Sequence, residues 1–275
     1  MVKLIVDSGS TKTDWCFAMP SGALVSVKTG GINPAVQDAE IIEATIKNHL
    51  LPSLPTQDID PNEVGEIYYY GAGCTPDRQP VMRKLLTEAF RCAQTVEVCS
   101  DLLAAARALC LRKKGIACIL GTGANSCLYD GEGIVAQTPA LGYILGDEGS
   151  GAVLGRLLVG DVLKHQLPEE ICSDFFATYS LTPDEVVRRV YREPMPNRFL
   201  ASFAPFLHRH RSHPAVHALL LHEFRRFFLR NVAAYERPDL PIGLVGSIAF
   251  FFQEEIGEAA AGCSMTIGKV LRAPL

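Results

Sequence analysis

The chain has 275 residues, of which 48% are hydrophobic and 20% charged, with a formal net charge of −4 and a pI near 6.0. This length and composition allow a large hydrophobic core and indicate two domains rather than one. The weak negative charge and the absence of a polybasic run exclude nucleic acid and the membrane surface as expected partners.

The start of the chain and its cysteines predict a cytoplasmic protein. The N-terminus opens directly into a predicted strand and lacks the apolar core and cleavage site of a signal peptide. No apolar stretch approaches the ~20 residues that span a bilayer. The nine cysteines are scattered without a C-x-x-C pair, which is typical of small core residues in a reducing compartment.

Residues 1–115 are predicted to open with a three-strand meander and to continue as alternating helices and strands. Strands are predicted near 2–7, 13–19, 22–28, 67–70 and 95–99, and helices near 38–50, 78–91 and 102–114. Proline-rich turns between 51 and 61 separate the first helix from the next strand.

Residues 116–275 repeat this beginning. A strand at 116–120, a turn and a return strand lead through 134–135 into a mainly helical segment from about 149 to 235. A closing unit has predicted strands at 242–245 and 265–267 and a helix at 248–261. Two halves that begin alike predict two related α/β domains, 1–115 and 116–275, with a ligand cleft between them.

The most informative motif is the turn at 7–13 (DSGSTKT), between the first two predicted strands. Glycine permits positive φ and close approach to a ligand, while hydroxyl, amide and ammonium groups suit phosphate oxygens. The same design recurs at 120–126 (LGTGANS). Ligand-free hairpins use such residues too, but two such turns, with an acid only in the first, indicate a duplicated nucleotide clamp.

Two further segments complete the pattern: the glycine-rich bend 146–151 (GDEGSG) and the strand and turn 243–247 (GLVGS). In this order, and over nearly the whole chain, the four motifs resemble the actin-like ATPase superfamily. They resemble more narrowly its N-acetylglucosamine kinase and BadF/BadG-type ATPase family. The resemblance implies an α/β fold with two actin-like ATPase (ribonuclease H-like) domains flanking a nucleotide and sugar cleft.

The resemblance also implies the residues that bind ATP and Mg²⁺. Asp7 would hold Mg²⁺ through water, and a single carboxylate suffices because this ion keeps several of its waters. The turn glycines and hydroxyls would contact phosphate, and the last motif, at a helix N-terminus, would leave room for adenosine. The implied nucleotide-binding residues are Gly9, Ser10, Thr11, Lys12, Thr122, Gly123, Gly246 and Ser247.

Asp101 follows the strand predicted at 95–99, and the resemblance implies that it is the general base for the acceptor hydroxyl. Its structural alternative is to cap the helix that begins at Leu102, where Asp is common. One residue can serve both purposes.

The resemblance implies sugar contacts by Asp147 and Glu148, since carboxylates accept several hydrogen bonds. Capping of the following helix is the structural alternative. Asn33 and Asn125 are the other implied sugar contacts. Relatives that bind N-acetylglucosamine often carry Trp where this chain has Leu141, which leaves the acetyl preference open.

The leading hypothesis is an ATP-dependent kinase that converts an amino sugar, N-acetylglucosamine first, to its 6-phosphate. A regulatory or activator-type ATPase of the same family is the alternative, although no short cysteine cluster motif is evident. A sugar and nucleotide sensor without turnover is the third. The oligomeric state stays open, and a homodimer is considered because symmetric dimers are common among soluble proteins. Relatives usually continue into a last helix near the position of Leu275, and whether this helix is missing here stays open.

Histidines and aromatic residues outside the motifs receive structural interpretations. The histidines between 208 and 222 lie among arginines and are predicted to form a solvated helical face rather than a zinc site. The run at 250–252 (FFF) is predicted to pack the closing helix, with one ring near adenine.

Overall fold

The computed structural model describes residues 1–9 and 11–274. They form two compact units, Met1–Ala104 with Pro274 and Ala105–Ala273, each built on one five-stranded mixed sheet. Within the described ranges, no helix has both the length and the apolar character needed to cross a membrane.

The first sheet has the strand order β3-β2-β1-β4-β5. Its strands are β1 (Val2–Ser8), β2 (Lys12–Ala18), β3 (Leu24–Gly30), β4 (Val64–Gly71) and β5 (Thr95–Ser100). The helices are α1 (Ala39–Thr45), extended by a π-helical turn Ile46–Leu50, then α2 (Gln79–Ala89) and α3 (Asp101–Cys110). The first three strands are antiparallel, as predicted, while β1, β4 and β5 are parallel.

Alternating burial in β1 explains how the first unit presents its acids. Val2, Leu4 and Val6 are fully buried in a core that also contains Trp15, while Asp7 points to the opposite, partly exposed face. Successive side chains of a strand point to opposite faces of the sheet, so this pattern follows from the sequence.

The second sheet has the order β10-β9-β6-β7-β8. Its strands are β6 (Gly115–Leu120), β7 (Ala124–Tyr129), β8 (Ile134–Thr138), β9 (Ile242–Val245) and β10 (Ile267–Leu271). The meander β6-β7-β8 is antiparallel, and β6, β9 and β10 are parallel.

The helices of the second unit cover this sheet. They are α4 (Gly142–Leu145), α5 (Gly151–Leu163), α6 (Glu169–Tyr179), α7 (Pro183–Tyr191), α8 (Pro196–Ala201), α9 (Ala204–Arg209), α10 (Pro214–Phe227), α11 (Ser247–Phe251) and α12 (Gln253–Ala261). Phe175, Phe203 and Phe206 form a buried aromatic cluster between them, with ring centroids 5.3 Å apart from Phe175 to each of the other two.

Three predicted boundaries are wrong for local reasons. The helix predicted to reach 114 ends at Cys110, because Leu111 takes a left-handed φ of 55°. The last strand starts at Ile267, not 265, because Met265 N still donates to Ala260 O at the end of α12. The helix predicted at 248–261 is two helices, broken at Phe252.

Candidate active site

The first predicted phosphate turn connects β1 and β2. Gly9 N donates to Lys12 O at 2.9 Å, and Thr11 and Lys12 are exposed. Lys12 Nζ lies 2.5 Å from Asp14 Oδ2. Ser10, another predicted phosphate contact, lies outside the described residues.

The glycines of the two phosphate turns do not have the conformation that the sequence suggested. Neither Gly9 nor Gly123 takes a left-handed φ. Space is nevertheless restricted at Gly123, because a Cβ there would lie 3.1 Å from Asp147 Oδ2, closer than ordinary van der Waals contact. Positive φ is instead found at Gly246, in the predicted adenosine motif.

Buried hydroxyl groups connect the first turn to the loop that carries Asn33. Ser8 and Thr13 are fully buried, with 2.8 Å between Oγ and Oγ1, and Ser8 Oγ donates to Ile32 O at 2.9 Å. Gly31 N also donates to Thr11 O. The position of the predicted sugar-binding loop is therefore set by the phosphate turn.

Asn33 is held on several sides. Its Oδ1 accepts from Ala35 N at 2.9 Å, and its backbone N donates to Gln37 Oε1 at 2.7 Å. Arg78 Nη1 donates to the neighbouring Pro34 O at 2.5 Å. Gly73, with φ of 72°, lies so close that a Cβ would meet Asn33 Oδ1 at 2.0 Å.

Asp7 and Asp101 are brought to the same edge of the first sheet. Strands β1 and β5 flank β4 in parallel, with Asp7 beside Tyr70 and Tyr70 beside Cys99. Because parallel strands end at one edge, Asp101, just after β5, lies near Asp7. Burial first, and then the carboxylates of Asp101 and Asp14, raise the pKa of Asp7 to about 6.

Asp101 has its own raised pKa. Burial raises the pKa to about 6, against the lowering effect of hydrogen bonds from backbone N–H groups. Its Oδ1 accepts from Leu102 N at 2.9 Å, whereas Ser100 Oγ accepts from Leu103 N at 3.4 Å. Ser100 thus takes the position expected of the cap of α3, and Asp101 is the helix's first residue.

The bend at 146–151 packs against the second phosphate turn. Asp147 has φ of 54°, and its Oδ1 accepts from Ala124 N at 3.2 Å. Burial raises the pKa of Asp147 to about 6. The cap of α5 is Ser150, whose Oγ accepts from Val153 N, so the capping alternative for the two acids is wrong.

Glu148 is an anchor within the second unit. It is buried, and its two oxygens accept from Arg230 Nε at 2.5 Å and Asn231 Nδ2 at 3.1 Å. Burial alone would raise the pKa of Glu148, but the hydrogen bonds from Asn231 and Arg230 lower it overall. Sequence reasoning missed both partners, since no local pattern connects residues 82 and 83 positions apart.

Asn125 lies on β7, next to the second turn. Its Oδ1 accepts from Ser126 N at 2.9 Å and from Gln137 Nε2 at 3.2 Å. Both hydrogen bonds are made to the side-chain oxygen of Asn125 and fix its position. The role of Asn125 in sugar binding stays a prediction.

The second phosphate turn is docked on the N-terminus of α5. Gly151 N donates to Gly121 O at 2.8 Å, and Ala152 N donates to Thr122 O at 3.1 Å. These bonds satisfy two N–H groups that the first turn of a helix leaves without intrahelical partners. The turn is therefore fixed by the helix.

A cavity of about 350 Å³ opens beside this turn. Gly121, Thr122 and Ser247 line it, so the predicted second phosphate motif and the predicted adenosine motif meet there. Gly246 has φ of 123°, and a Cβ there would lie 2.3 Å from Leu120 O, so only glycine fits. The other lining residues are Gly151, Ala201, Ser202, Ala204, Pro205, His208, Ile248, Phe251 and Phe252.

The helical wall of this cavity was largely missed by sequence reasoning. Of the run predicted at 250–252, Phe251 and Phe252 line the cavity, and a ring near adenine stays a prediction. The residues from 201 to 208 carry no motif, and no local signal distinguishes them from ordinary helix residues.

Two other histidines, His210 directly after α9 and His217 in α10, pair with carboxylates of neighbouring helices. His210 Nε2 lies 2.7 Å from Asp174 Oδ2, and His217 Nε2 lies 3.0 Å from Glu258 Oε2. These contacts therefore connect helices on the partly exposed face of the second unit.

Comparison with solved structures gives matches over nearly the whole chain. A candidate N-acetylglucosamine kinase of Porphyromonas gingivalis is 47% identical, with a TM-score of 0.94 over 98% of this chain and 95% of that one. A candidate N-acetylglucosamine kinase of Chromobacterium violaceum is 18% identical, with a TM-score of 0.78 over 98% and 94%. A ROK family glucokinase of Streptomyces griseus, in complex with glucose and AMPPNP, is 12% identical, with a TM-score of 0.61 over 99% and 94%.

The two more distant structures show the same fold, two α/β units of the actin-like ATPase type. Comparisons with family models and with curated proteins give no match. On its identity to the Porphyromonas protein, this chain belongs to the N-acetylglucosamine kinase and BadF/BadG ATPase family of the actin-like ATPase superfamily.

Proposed function

We propose that the protein is an ATP-dependent sugar kinase that phosphorylates an amino sugar, N-acetylglucosamine to its 6-phosphate. The observation that carries this proposal is the pair Asp7 and Asp101 at one edge of the first sheet, each with a pKa raised to about 6. The 47% identical relative, a candidate N-acetylglucosamine kinase, supports the choice of sugar.

Asp101 is the proposed general base. Its Oδ1 is occupied by Leu102 N–H, so Oδ2 is the oxygen that would accept the proton of the sugar hydroxyl. A carboxylate with a pKa near 6 is ionised at neutral pH and is more basic than an ordinary Asp. In phosphoryl transfer the protein mainly positions the reactants and accepts this proton.

Asp7 fits a metal ion that retains most of its water. Its carboxylate lies on the partly exposed face of β1 and is repelled by the carboxylate of Asp101, and a cation would relieve this repulsion. When bound, Mg²⁺ neutralises developing charge on the phosphate oxygens. Asp7 would hold such an ion with few other protein ligands.

The cavity in the second unit supports the proposal that the protein binds a nucleotide. Its walls are mainly apolar, and it is continuous with the second phosphate turn through Gly121 and Thr122. A volume of about 350 Å³ lies within the range of small-molecule pockets. We propose that adenosine occupies it, with Gly246 and Ser247 beside the nucleoside.

Release of ADP from Mg²⁺-ATP, measured with glucose, glucosamine, N-acetylglucosamine and N-acetylmannosamine, tests the activity. Stimulation by one sugar, with a phosphate on its C6 by mass and NMR analysis, would establish the kinase. Hydrolysis that no sugar stimulates would favour the activator-type ATPase. ATP and sugar binding without turnover would favour the sensor.

A cytoplasmic location and a homodimeric assembly form part of the same proposal. The nine cysteines, all within the described residues, form no disulfide, in keeping with a reducing cytoplasm. Light scattering at several protein concentrations would distinguish a homodimer from a monomer.

A further inference from the structure

His208 occupies a fixed place in the wall of the cavity. It belongs to α9 and lines the cavity with Phe251 and Phe252. Its imidazole meets the two phenyl rings edge-on, with centroid distances of 5.7 Å to Phe251 and 5.5 Å to Phe252. A ring held in this way loses little freedom when a ligand binds, so it is pre-organised for recognition.

The contact with Arg211 determines where the imidazole carries its proton. Arg211 Nη1 is in hydrogen-bond contact with Nε2 of His208. A guanidinium only donates, so Nε2 must be the acceptor. The neutral ring therefore carries its proton on Nδ1, which becomes the ring's one N–H donor.

Arg211 is itself held by acids of α12. Its Nε lies 3.4 Å from Oε1 of Glu255, whose side chain is only 5% exposed, and its Nη2 lies 3.7 Å from Oε2 of Glu254. A buried carboxylate requires a positive partner, which keeps the guanidinium in place. The series Glu255, Arg211, His208 thus runs from the interior to the cavity wall.

We propose that His208 recognises the nucleobase by donating a hydrogen bond from Nδ1 to a ring nitrogen of the purine. Arg211 is the positioning residue that keeps the proton on Nδ1. The ring nitrogens N1, N3 and N7 of adenine are all acceptors, so a fixed donor matches them. This inference rests on the proposed nucleotide site and adds the means by which the base is recognised.

The test compares ADP with its 1-deaza, 3-deaza and 7-deaza analogues by calorimetry on the wild-type protein and on His208→Phe. Phenylalanine retains a ring against Phe251 and Phe252 but cannot donate. We expect one analogue to bind the wild type about 3- to 10-fold more weakly than ADP, the value of one neutral hydrogen bond. In His208→Phe this difference should disappear.

Wild-type affinity that is the same for all four nucleotides would overturn the proposal, as would a deaza penalty that persists in His208→Phe. His217→Phe is the matched control, because His217 pairs with Glu258 and does not line the cavity. This control should keep the wild-type deaza penalty. Its loss there would show a general effect of removing a histidine and would also contradict the proposal.

Arg211 variants test the tautomer with His208 still in place. Arg211→Met should weaken ADP binding and reduce the deaza penalty, since the proton can then move to Nε2. Arg211→Lys keeps a donor and should restore the penalty at least in part. An unchanged penalty in Arg211→Met would refute the positioning role.

The inference and the kinase proposal can fail separately. Nucleotide binding that depends on His208, without phosphorylation of any sugar, would leave the inference standing and remove the kinase. Sugar phosphorylation without a deaza penalty would do the reverse. No binding of ADP at all would remove both.

Discussion

Arg230 Nε donates a 2.5 Å hydrogen bond to Oε1 of Glu148, and this bond joins the acidic bend to the helical segment after α10. Asn231 donates to the other carboxylate oxygen. The bend also carries Asp147, a predicted sugar contact that packs on the second phosphate turn. The anchor therefore fixes the position of Asp147 relative to that turn.

Substitution Glu148→Gln should destabilise the protein. Both partners of this carboxylate are donors, and the amide group of Gln would place a third donor against one of them. We expect a loss of about 1–3 kcal/mol in the free energy of unfolding, measured by urea titration. The exposed Glu132→Gln is the control and should change stability by less than about 0.5 kcal/mol. Equal stability of the two variants would refute the stabilising role of Glu148.

Replacement of Asp101 by Asn should remove activity and increase stability. The folded-state pKa, about 6, lies above the ordinary 3.8, so the folded protein binds more protons than the unfolded chain between these values. The free energy of unfolding contributed by protonated Asp101 is therefore lost as the pH rises from about 4 to about 6. At pH 7 Asn should raise the unfolding free energy by about 1–3 kcal/mol, measured by urea titration at pH 4 and pH 7.

Kinase activity should rise with pH, whereas the stability contributed by Asp101 falls with pH. Asp101 can accept a proton only when ionised, so kcat/KM should rise with pH and level off above about pH 6. Initial rates between pH 5 and pH 8 at saturating ATP would measure this. A profile that is flat down to pH 5 would contradict the assignment of Asp101 as base.

The substitution Ser8→Ala should change the KM for the sugar more than the KM for ATP. The change removes the donor to Ile32 O and loosens the loop of Asn33. We expect KM for the sugar to rise about 3- to 10-fold, as for loss of about one hydrogen bond, with a smaller change in KM for ATP. Ser21→Ala, in an exposed turn, is the control. Equal rises in both KM values would indicate general damage instead.

Gly246→Ala should prevent nucleotide binding. The φ of 123° and the 2.3 Å approach of a Cβ to Leu120 O both exclude a side chain. Calorimetry with ADP and thermal unfolding measure the two effects. Gly257→Ala is the control, because space around Gly257 in α12 is open, and it should stabilise the protein by about 0.5–1 kcal/mol. Normal ADP affinity in Gly246→Ala would contradict the assigned adenosine motif.

The sequence alone determined most of the local structure. Alternating hydrophobic residues predicted β1 and its partner strands, and the glycine-rich turns predicted both hairpins, because such patterns depend only on residues two to four positions apart. The four motifs also indicated the family. Boundaries failed where one residue took a left-handed φ, as at Leu111, which no pattern in the sequence announces.

Only the tertiary structure decided which distant residues meet. Asp7 and Asp101 share an edge because β4 lies between β1 and β5, and this strand order is not encoded in either segment. The contact of Glu148 with Arg230 and the place of His208 in the cavity wall likewise arise from helix packing on the second sheet. Such contacts depend on how whole elements pack, so their effects on pKa and proton position could not be derived from the sequence.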